Sequence, residues 1–170
     1  MSRSIKKVQG GTYDKVGVFS YEAFRRATNN VRKQDKNDCS VIAVAMMLCK
    51  FKICKHEWDA YKMASAALAE EGRLFGQGAS YIDIGRALIK LGLSVSPKTP
   101  ADFIAKYPGR NKNLKHVTTH HPKRFPGVYS KSQYLFFSKT HVSAVIGGKT
   151  CDWAAENSKH VWSILEISCE

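Results

Sequence analysis

Acidic residues are scarce in this chain, which has 14 Asp and Glu against 27 Lys and Arg and a formal net charge of +13. A surface with such an excess attracts polyanions, so nucleic acid or an acidic protein is a candidate partner. The basic residues are scattered in pairs and triplets, without a zinc-finger, RNP or helix-turn-helix pattern. Charge therefore indicates a class of partner but no known nucleic-acid-binding motif.

Cysteines and long apolar runs are also scarce. The five cysteines are an odd number without regular spacing, which argues against a disulfide framework and is typical of a reducing compartment. No segment approaches the roughly 20 apolar residues of a membrane span, and no apolar run follows the basic residues 1–7, so a secretory signal is not predicted. We expect a soluble cytoplasmic protein with no membrane partner.

The distribution of helical and β-prone patterns predicts the fold class. A chain of 170 residues is long enough for one core, so we predict a single domain over 1–170, with residues 1–20 as an N-terminal arm or edge strand. Helical patterns dominate as far as Gly92, and short β-prone runs follow Leu114. This order predicts an α+β fold in which N-terminal helices pack on a C-terminal antiparallel sheet.

The individual elements follow from caps, periodicity and turn residues. A glycine-rich stretch at 72–80 lacks the lysine and the preceding strand of a phosphate-binding loop, so we interpret it as a connector. The predicted helices are 20–27, 39–51, 55–71, 80–91 and 100–107, and the predicted strands are 117–119, 128–129, 134–137, 141–146, 151–154 and 161–167.

Cys39 lies where a polar segment becomes an apolar helix. Asn37 and Asp38 are residue types that cap helices, which places Cys39 in the first turn. Free backbone N–H groups and the positive end of the helix dipole favour a thiolate there. A cysteine at the start of a core helix is also often only a small buried hydrophobe, so a partner histidine is needed to decide between the two interpretations.

His141 is the histidine whose context suggests that partner. It precedes an apolar strand, and Gly147 and Gly148 then predict a hairpin with a two-residue loop. In that register Ile146 pairs with Lys149, and His141 and Asp152 are diagonal neighbours on one face. A carboxylate so placed can orient the imidazole as a general base, whereas a three-residue loop would turn Asp152 to the opposite face.

The segments 37–45 and 141–153 together resemble the papain-like cysteine peptidase superfamily. The similarity is to the small bacteriocin-processing-peptidase-like domains, including the compact versions common among bacteriophage proteins. Helices and a glycine-rich stretch lie between the two motifs in the same order, so the resemblance covers most of residues 34–154. It implies a papain-like fold and, if the chain is phage-encoded, location in the host cytoplasm.

The resemblance also implies a catalytic role for four residues. Cys39 would be the nucleophile, His141 the general base and then acid, and Asp152 the residue that orients His141. Gln34 would help the amide of Cys39 to form the oxyanion hole, although it lies five residues before the cysteine where the family usually has six. Ser40 replaces the glycine of many relatives, and its small side chain still permits close approach of a substrate backbone.

The implied reaction is thiol-dependent acyl transfer on a peptide or isopeptide bond of a protein or peptide substrate, with no cofactor and no metal. The first rival is a nucleic-acid- or host-protein-binding module on a peptidase-like fold, whose working part is the basic surface. The second rival is a metal site at Cys49, Cys54 and His56, for which the sequence offers no clear fourth ligand.

Overall fold

The fold is described from a computed structural model, which covers residues 35, 37–99, 102, 133–139, 141–146, 149–150 and 162–169, with the backbone alone at 149–150. Several predicted elements lie outside these residues. They are the arm at 1–20, the helix at 20–27, all but residue 102 of the helix at 100–107, and the strands at 117–119, 128–129 and 151–154.

The described residues form three helices and one five-stranded antiparallel sheet. The strands lie in the order β1-β5-β2-β3-β4, and each neighbouring pair is antiparallel. An α+β fold with helices before most of the sheet is therefore confirmed. The elements are α1 (Cys39–Lys50), α2 (Glu57–Glu70), α3 (Tyr81–Lys90), β1 (Ser94–Lys98), β2 (Gln133–Phe137), β3 (Val142–Ile146), β4 (Lys149–Thr150) and β5 (Ser163–Ser168).

Helix α1 occupies the centre of the core. Every residue from Ser40 to Cys49 is buried, and the helix contacts both α2 and β3. A helix with apolar side chains on all faces must be packed against other elements on all faces. Here a helix, α2, and a strand of the sheet, β3, both pack against it. The helix begins at Cys39 and ends one residue before the predicted end, so its predicted position is confirmed.

Residues that favour helix termini mark the start of α3 and the end of α2. The hydroxyl of Ser80 accepts a hydrogen bond from the amide of Asp83 at 3.1 Å, which caps α3 as predicted. Helix α2 is followed by Gly72 at φ +106°, a left-handed conformation in which glycine has no Cβ penalty. One face of α2 packs into the core, where Tyr61, Ala64 and Leu68 are buried.

The hairpin of β3 and β4 follows the predicted register, whereas strand β1 was not predicted. Ile146 pairs with Lys149, which confirms the two-residue connection in the hairpin. Strand β1 contains Pro97. Proline has no backbone N–H to donate to a neighbouring strand, and it therefore weakens the sequence pattern of a strand. It is tolerated because β1 pairs only with β5, at the edge of the described sheet.

Candidate functional site

A cavity of about 550 Å³ opens beside the first turn of α1. Cys39 and His141 both line it, so the described part of the chain brings these two predicted residues to the same site. The remaining walls come from residues 78–81, from 137–139 and 142, and from 162–163 at the start of β5. The volume lies within the range of roughly 300–1,000 Å³ that small-molecule and peptide-side-chain sites occupy.

Cys39 is half-buried in this wall, at the first position of α1. The first hydrogen bond of the helix runs from the amide of Ile42 to the carbonyl of Asp38 at 2.9 Å. The amides from Cys39 to Val41 therefore precede the helical ladder and have no acceptor within the helix. These unpaired donors and the positive end of the helix dipole lie at the turn that carries Cys39.

The side chains of Asn37 and Asp38 do not cap α1 as their residue types suggested. Asp38 occupies the N-cap position without a side-chain bond to the first turn, and its carboxylate accepts from the hydroxyl of Tyr61 at 3.0 Å. The amide group of Asn37 donates to the carbonyl of Gly76 at 2.7 Å. Tertiary partners have replaced the local ones, so the segment is fixed by α2 and by the glycine-rich stretch.

A buried ion pair also holds the segment that precedes Cys39. The guanidinium of Arg73 donates to both carboxylate oxygens of Asp35, at 2.6 and 3.0 Å, and to the carbonyl of Asn37 at 3.2 Å. Asp35 further accepts from the amide of Gly76 at 2.9 Å. The stretch 72–80 is therefore more than the connector that its sequence suggested, because it positions the approach to Cys39 and then lines the cavity.

His141 lies in the turn between β2 and β3, half-buried at the cavity. Its carbonyl accepts from the amide of Ser138 at 2.8 Å and from the hydroxyl of Ser138 at 3.1 Å. The amide of Trp162 donates to the carbonyl of Phe137 at 2.7 Å, which joins the start of β5 to the same turn. These bonds fix the backbone from which the imidazole projects.

Aromatic side chains form much of the remaining wall. Tyr81 and Phe137 meet edge to face, with ring centroids 4.9 Å apart and an interplanar angle of 78°. The hydroxyl of Tyr81 donates to the carbonyl of Ile164 at 3.4 Å, so the ring joins α3 to β5. Trp162 remains 67% exposed at the cavity, where it presents an apolar surface to anything that binds.

Ser40 also lines the cavity, and its hydroxyl is buried without a hydrogen-bond partner in the described structure. An unpaired buried hydroxyl costs about 1–3 kcal/mol. The hydroxyl therefore does not stabilise α1, and what the position offers the site is the small volume of its side chain.

Two of the four predicted site residues, Gln34 and Asp152, lie outside the described residues, and their roles stay predictions. The role predicted for Asp152 requires a two-residue hairpin loop, and the pairing of Ile146 with Lys149 agrees with a loop of that length. Sequence reasoning missed Lys139 and Trp162 as cavity residues. Neither belongs to a motif, and only the pairing of β2 with β3 and β5 brings them to the cysteine.

The structure does not gather Cys49, Cys54 and His56 into a cluster of metal ligands among the described residues. Cys49 and Cys54 are both buried, and across the described residues no three His, Cys, Asp or Glu side chains cluster in a way that could hold a metal ion. The thiol of Cys54 contacts the sulfur of Met63 at 3.7 Å, and burial, with the nearby Asp59, raises the pKa of that thiol.

The described structure does not contain a helix of sufficient length and apolar character to cross a membrane.

Tyr61 makes stability sensitive to alkaline pH. Burial, followed by the charge of Asp38 and its hydrogen bond, raises the pKa of Tyr61 far above its ordinary value of about 10, whereas Arg73 acts in the opposite direction. Because the folded-state pKa is the higher one, this stabilisation is complete below about pH 10 and is lost as the pH rises further.

We expect Tyr61→Phe to remove part of this alkaline loss. At neutral pH the variant should be less stable by about 1 kcal/mol, because the hydrogen bond to Asp38 is gone. Between about pH 9 and about pH 11 its free energy of unfolding should fall less than that of the parent. Urea denaturation at each pH measures both effects, with Tyr81→Phe as the control for a less buried tyrosine. Parallel pH profiles for the parent and Tyr61→Phe would contradict the prediction.

Comparisons of the chain with known protein families, with curated proteins and with solved structures found no match.

Proposed function

We propose that this chain is a cysteine hydrolase that cleaves peptide or isopeptide bonds through a papain-like arrangement of residues. Cys39 is the nucleophile and His141 the general base. The observation that carries the proposal is that both residues line one cavity, the cysteine on a core helix and the histidine beside the antiparallel sheet. The resemblance of the two sequence segments to papain-like peptidases supports the same assignment.

The reaction proceeds in two acyl-transfer steps. His141 takes the thiol proton, and the sulfur of Cys39 attacks the carbonyl carbon, so that a C–S bond forms and the carbonyl electrons move to oxygen. Collapse of this intermediate breaks the C–N bond, and the leaving amine takes the proton from His141. Water then attacks the thioester with His141 as base, which releases a carboxylic acid and restores the thiol.

Backbone amides supply the stabilisation of the oxyanion. The amide of Cys39 lies at the start of α1, before the helical ladder begins, and in the proposal it donates to the oxyanion that forms at the sulfur. In the proposal Gln34 adds a second donor and Asp152 holds the second ring nitrogen of His141. Removal of one donor from an oxyanion hole typically costs about 10²–10³ in rate.

The labelling rate of each cysteine by iodoacetamide tests the pairing of Cys39 with His141 without a substrate. An ordinary thiol is only a few per cent thiolate near neutral pH, so transfer of the proton to His141 should make Cys39 react about tenfold faster than a free thiol. Cys169 is the internal reference, because it is exposed whereas Cys39 is half-buried. A faster reaction at Cys39 therefore reflects activation rather than access.

His141→Ala should abolish this advantage, and His56→Ala should preserve it, because His56 lies at the start of α2 and does not line the cavity. Peptide mass spectrometry across a pH series resolves the individual cysteines. If Cys39 reacts no faster than Cys169, or if His141→Ala leaves its rate unchanged, the catalytic pairing is wrong.

The net charge of +13 favours one alternative function, a polyanion-binding module on the same fold. That function predicts tight binding of oligonucleotides, a steep loss of affinity with salt, and no effect of Cys39→Ala. It makes no use of the cavity between Cys39 and His141, so an activated Cys39 favours the hydrolase.

A further inference from the structure

Lys139 is the one lysine or arginine among the described residues that line the cavity. Its side chain is exposed, and no aspartate or glutamate is among those described lining residues. His141, Cys39 and Tyr81 also line the cavity, and in the proposed function the proton that Cys39 loses passes to His141, so the summed charge of that pair is unchanged. A ligand at the cavity therefore meets the positive charge of Lys139, and no carboxylate among the described lining residues cancels it. In the proposed function the carboxylate of Asp152 is already paired with the ring of His141.

The rest of the chain reinforces this field. A net charge of +13 raises the local concentration of anionic ligands. Low-dielectric cavity walls focus such a field, and a charge at the rim then selects between ligands that fit equally well.

The apolar walls indicate what accompanies the negative charge. The edge-to-face pair of Tyr81 and Phe137, together with the exposed ring of Trp162, gives a large aromatic surface beside Lys139. Such surfaces bury apolar side chains. The complementary ligand is thus a chain that carries a large apolar group close to a carboxylate.

We infer that the substrate is an acidic peptide segment, in which an aspartate, a glutamate or a terminal carboxylate binds Lys139 while an adjacent apolar side chain packs on the aromatic wall. The inference rests on the proposed function, because it assigns the substrate of that same site. Lys139 is then a residue that determines specificity and takes no part in the bond-making steps.

Peptide fits the cavity better than nucleic acid does. Binding of a nucleic-acid backbone neutralises several successive phosphates with lysine or arginine. The described cavity wall offers Lys139 as its one such side chain and has no arginine. Binding of nucleic acid through Lys139 would therefore overturn the inference.

The test uses fluorescein-labelled hexapeptides that contain one phenylalanine followed by glutamate, glutamine or lysine. Binding is measured by anisotropy in the full chain carrying Cys39→Ala, so that turnover does not interfere. An exposed ion pair contributes up to about fivefold in affinity, and exchange of glutamate for lysine up to about twentyfold. At low salt we expect the affinity to decrease from the glutamate peptide to the glutamine peptide to the lysine peptide. The differences in affinity should become smaller as the salt concentration increases.

Lys139→Glu should reverse this order. Lys62→Glu is the matched control, because Lys62 is an exposed lysine on α2 that does not line this cavity, and its replacement changes the net charge by the same amount. Reversal in Lys139→Glu but not in Lys62→Glu supports the inference. Equal effects of the two variants would show a general charge effect and overturn it.

Two further outcomes separate the inference from the proposed function. If the parent hydrolyses the corresponding peptide nitroanilides without preferring glutamate, the hydrolase stands and the acidic substrate is wrong. If binding prefers glutamate through Lys139 but no peptide is hydrolysed, the acidic ligand stands and the hydrolase is wrong. Binding of single-stranded oligonucleotide that depends on Lys139, without peptide binding, overturns the inference.

Discussion

Replacement of His141 by alanine should slow hydrolysis of a peptide nitroanilide by about 10²–10⁴-fold, the usual contribution of a positioned general acid–base group. The variant loses both the base that ionises Cys39 and the acid that protonates the leaving amine. Because His141 is half-buried in a turn, its side chain contributes little packing, and the thermal unfolding midpoint should change little. The initial rate and the unfolding curve measured on one preparation separate chemistry from stability.

The leaving group provides a sharper signature of the same residue. A p-nitrophenyl ester with the same peptide needs no protonation of its leaving group, so His141→Ala should impair ester hydrolysis less than anilide hydrolysis. Cys39→Ala should abolish both, and His56→Ala should change neither. An equal loss on ester and anilide would contradict the role of His141 as the acid in the second half of the reaction.

Arg73→Met should destabilise the fold by about 3–5 kcal/mol, because it leaves the carboxylate of Asp35 buried without its cation. The pair is almost completely inaccessible, with side-chain exposures of 2% for Arg73 and 0% for Asp35. Equilibrium urea denaturation measures the loss. Lys62→Met is the matched control, because it breaks the ion pair with Asp59, in which the two side chains are 58% and 56% exposed, and exposed pairs contribute only about 0–1 kcal/mol.

The double variant Asp35→Leu with Arg73→Met distinguishes the ion pair from its surroundings. Replacement of both buried charges by apolar groups is often nearly neutral, so most of the lost stability should return. The reaction of Cys39 with iodoacetamide should nevertheless remain slower than in the parent, since Asp35 no longer holds Gly76 and Arg73 no longer holds Asn37. Recovery of stability together with full Cys39 reactivity would show that the pair supports the fold alone.

Local patterns predicted the parts of this fold that local physics determines. The start of α1 follows from the change from polar to apolar residues at Cys39, and the cap of α3 follows from Ser80. The hairpin register follows from two adjacent glycines, because loop length fixes which residues pair. Each of these predictions depends on residues within a few positions of one another.

The rest of the site depends on contacts between distant positions. Asp35 and Arg73 are 38 residues apart, and nothing near either residue indicates that they pair. Asp38 has the residue type of a local cap, yet Tyr61 provides a partner from another helix. The cavity residues Lys139 and Trp162 reach Cys39 only through the sheet, so their role could be recognised only after the strand order was known.

The burial of α1 also limits how far Cys39 can move when the structure fluctuates. Ten consecutive buried residues follow Cys39, and a helix covered on every face cannot fray or detach while its neighbours remain packed. Its amides from Ile42 onward are bonded within the helix, and we expect them to exchange with solvent mainly when the core opens, at a free-energy cost close to that of global unfolding. Cys39 therefore lies at the end of a deeply buried helix, whereas His141 lies in the turn between β2 and β3. In the proposed pairing, we expect adjustment of the distance between the sulfur and the imidazole to come mainly from the turn that carries His141.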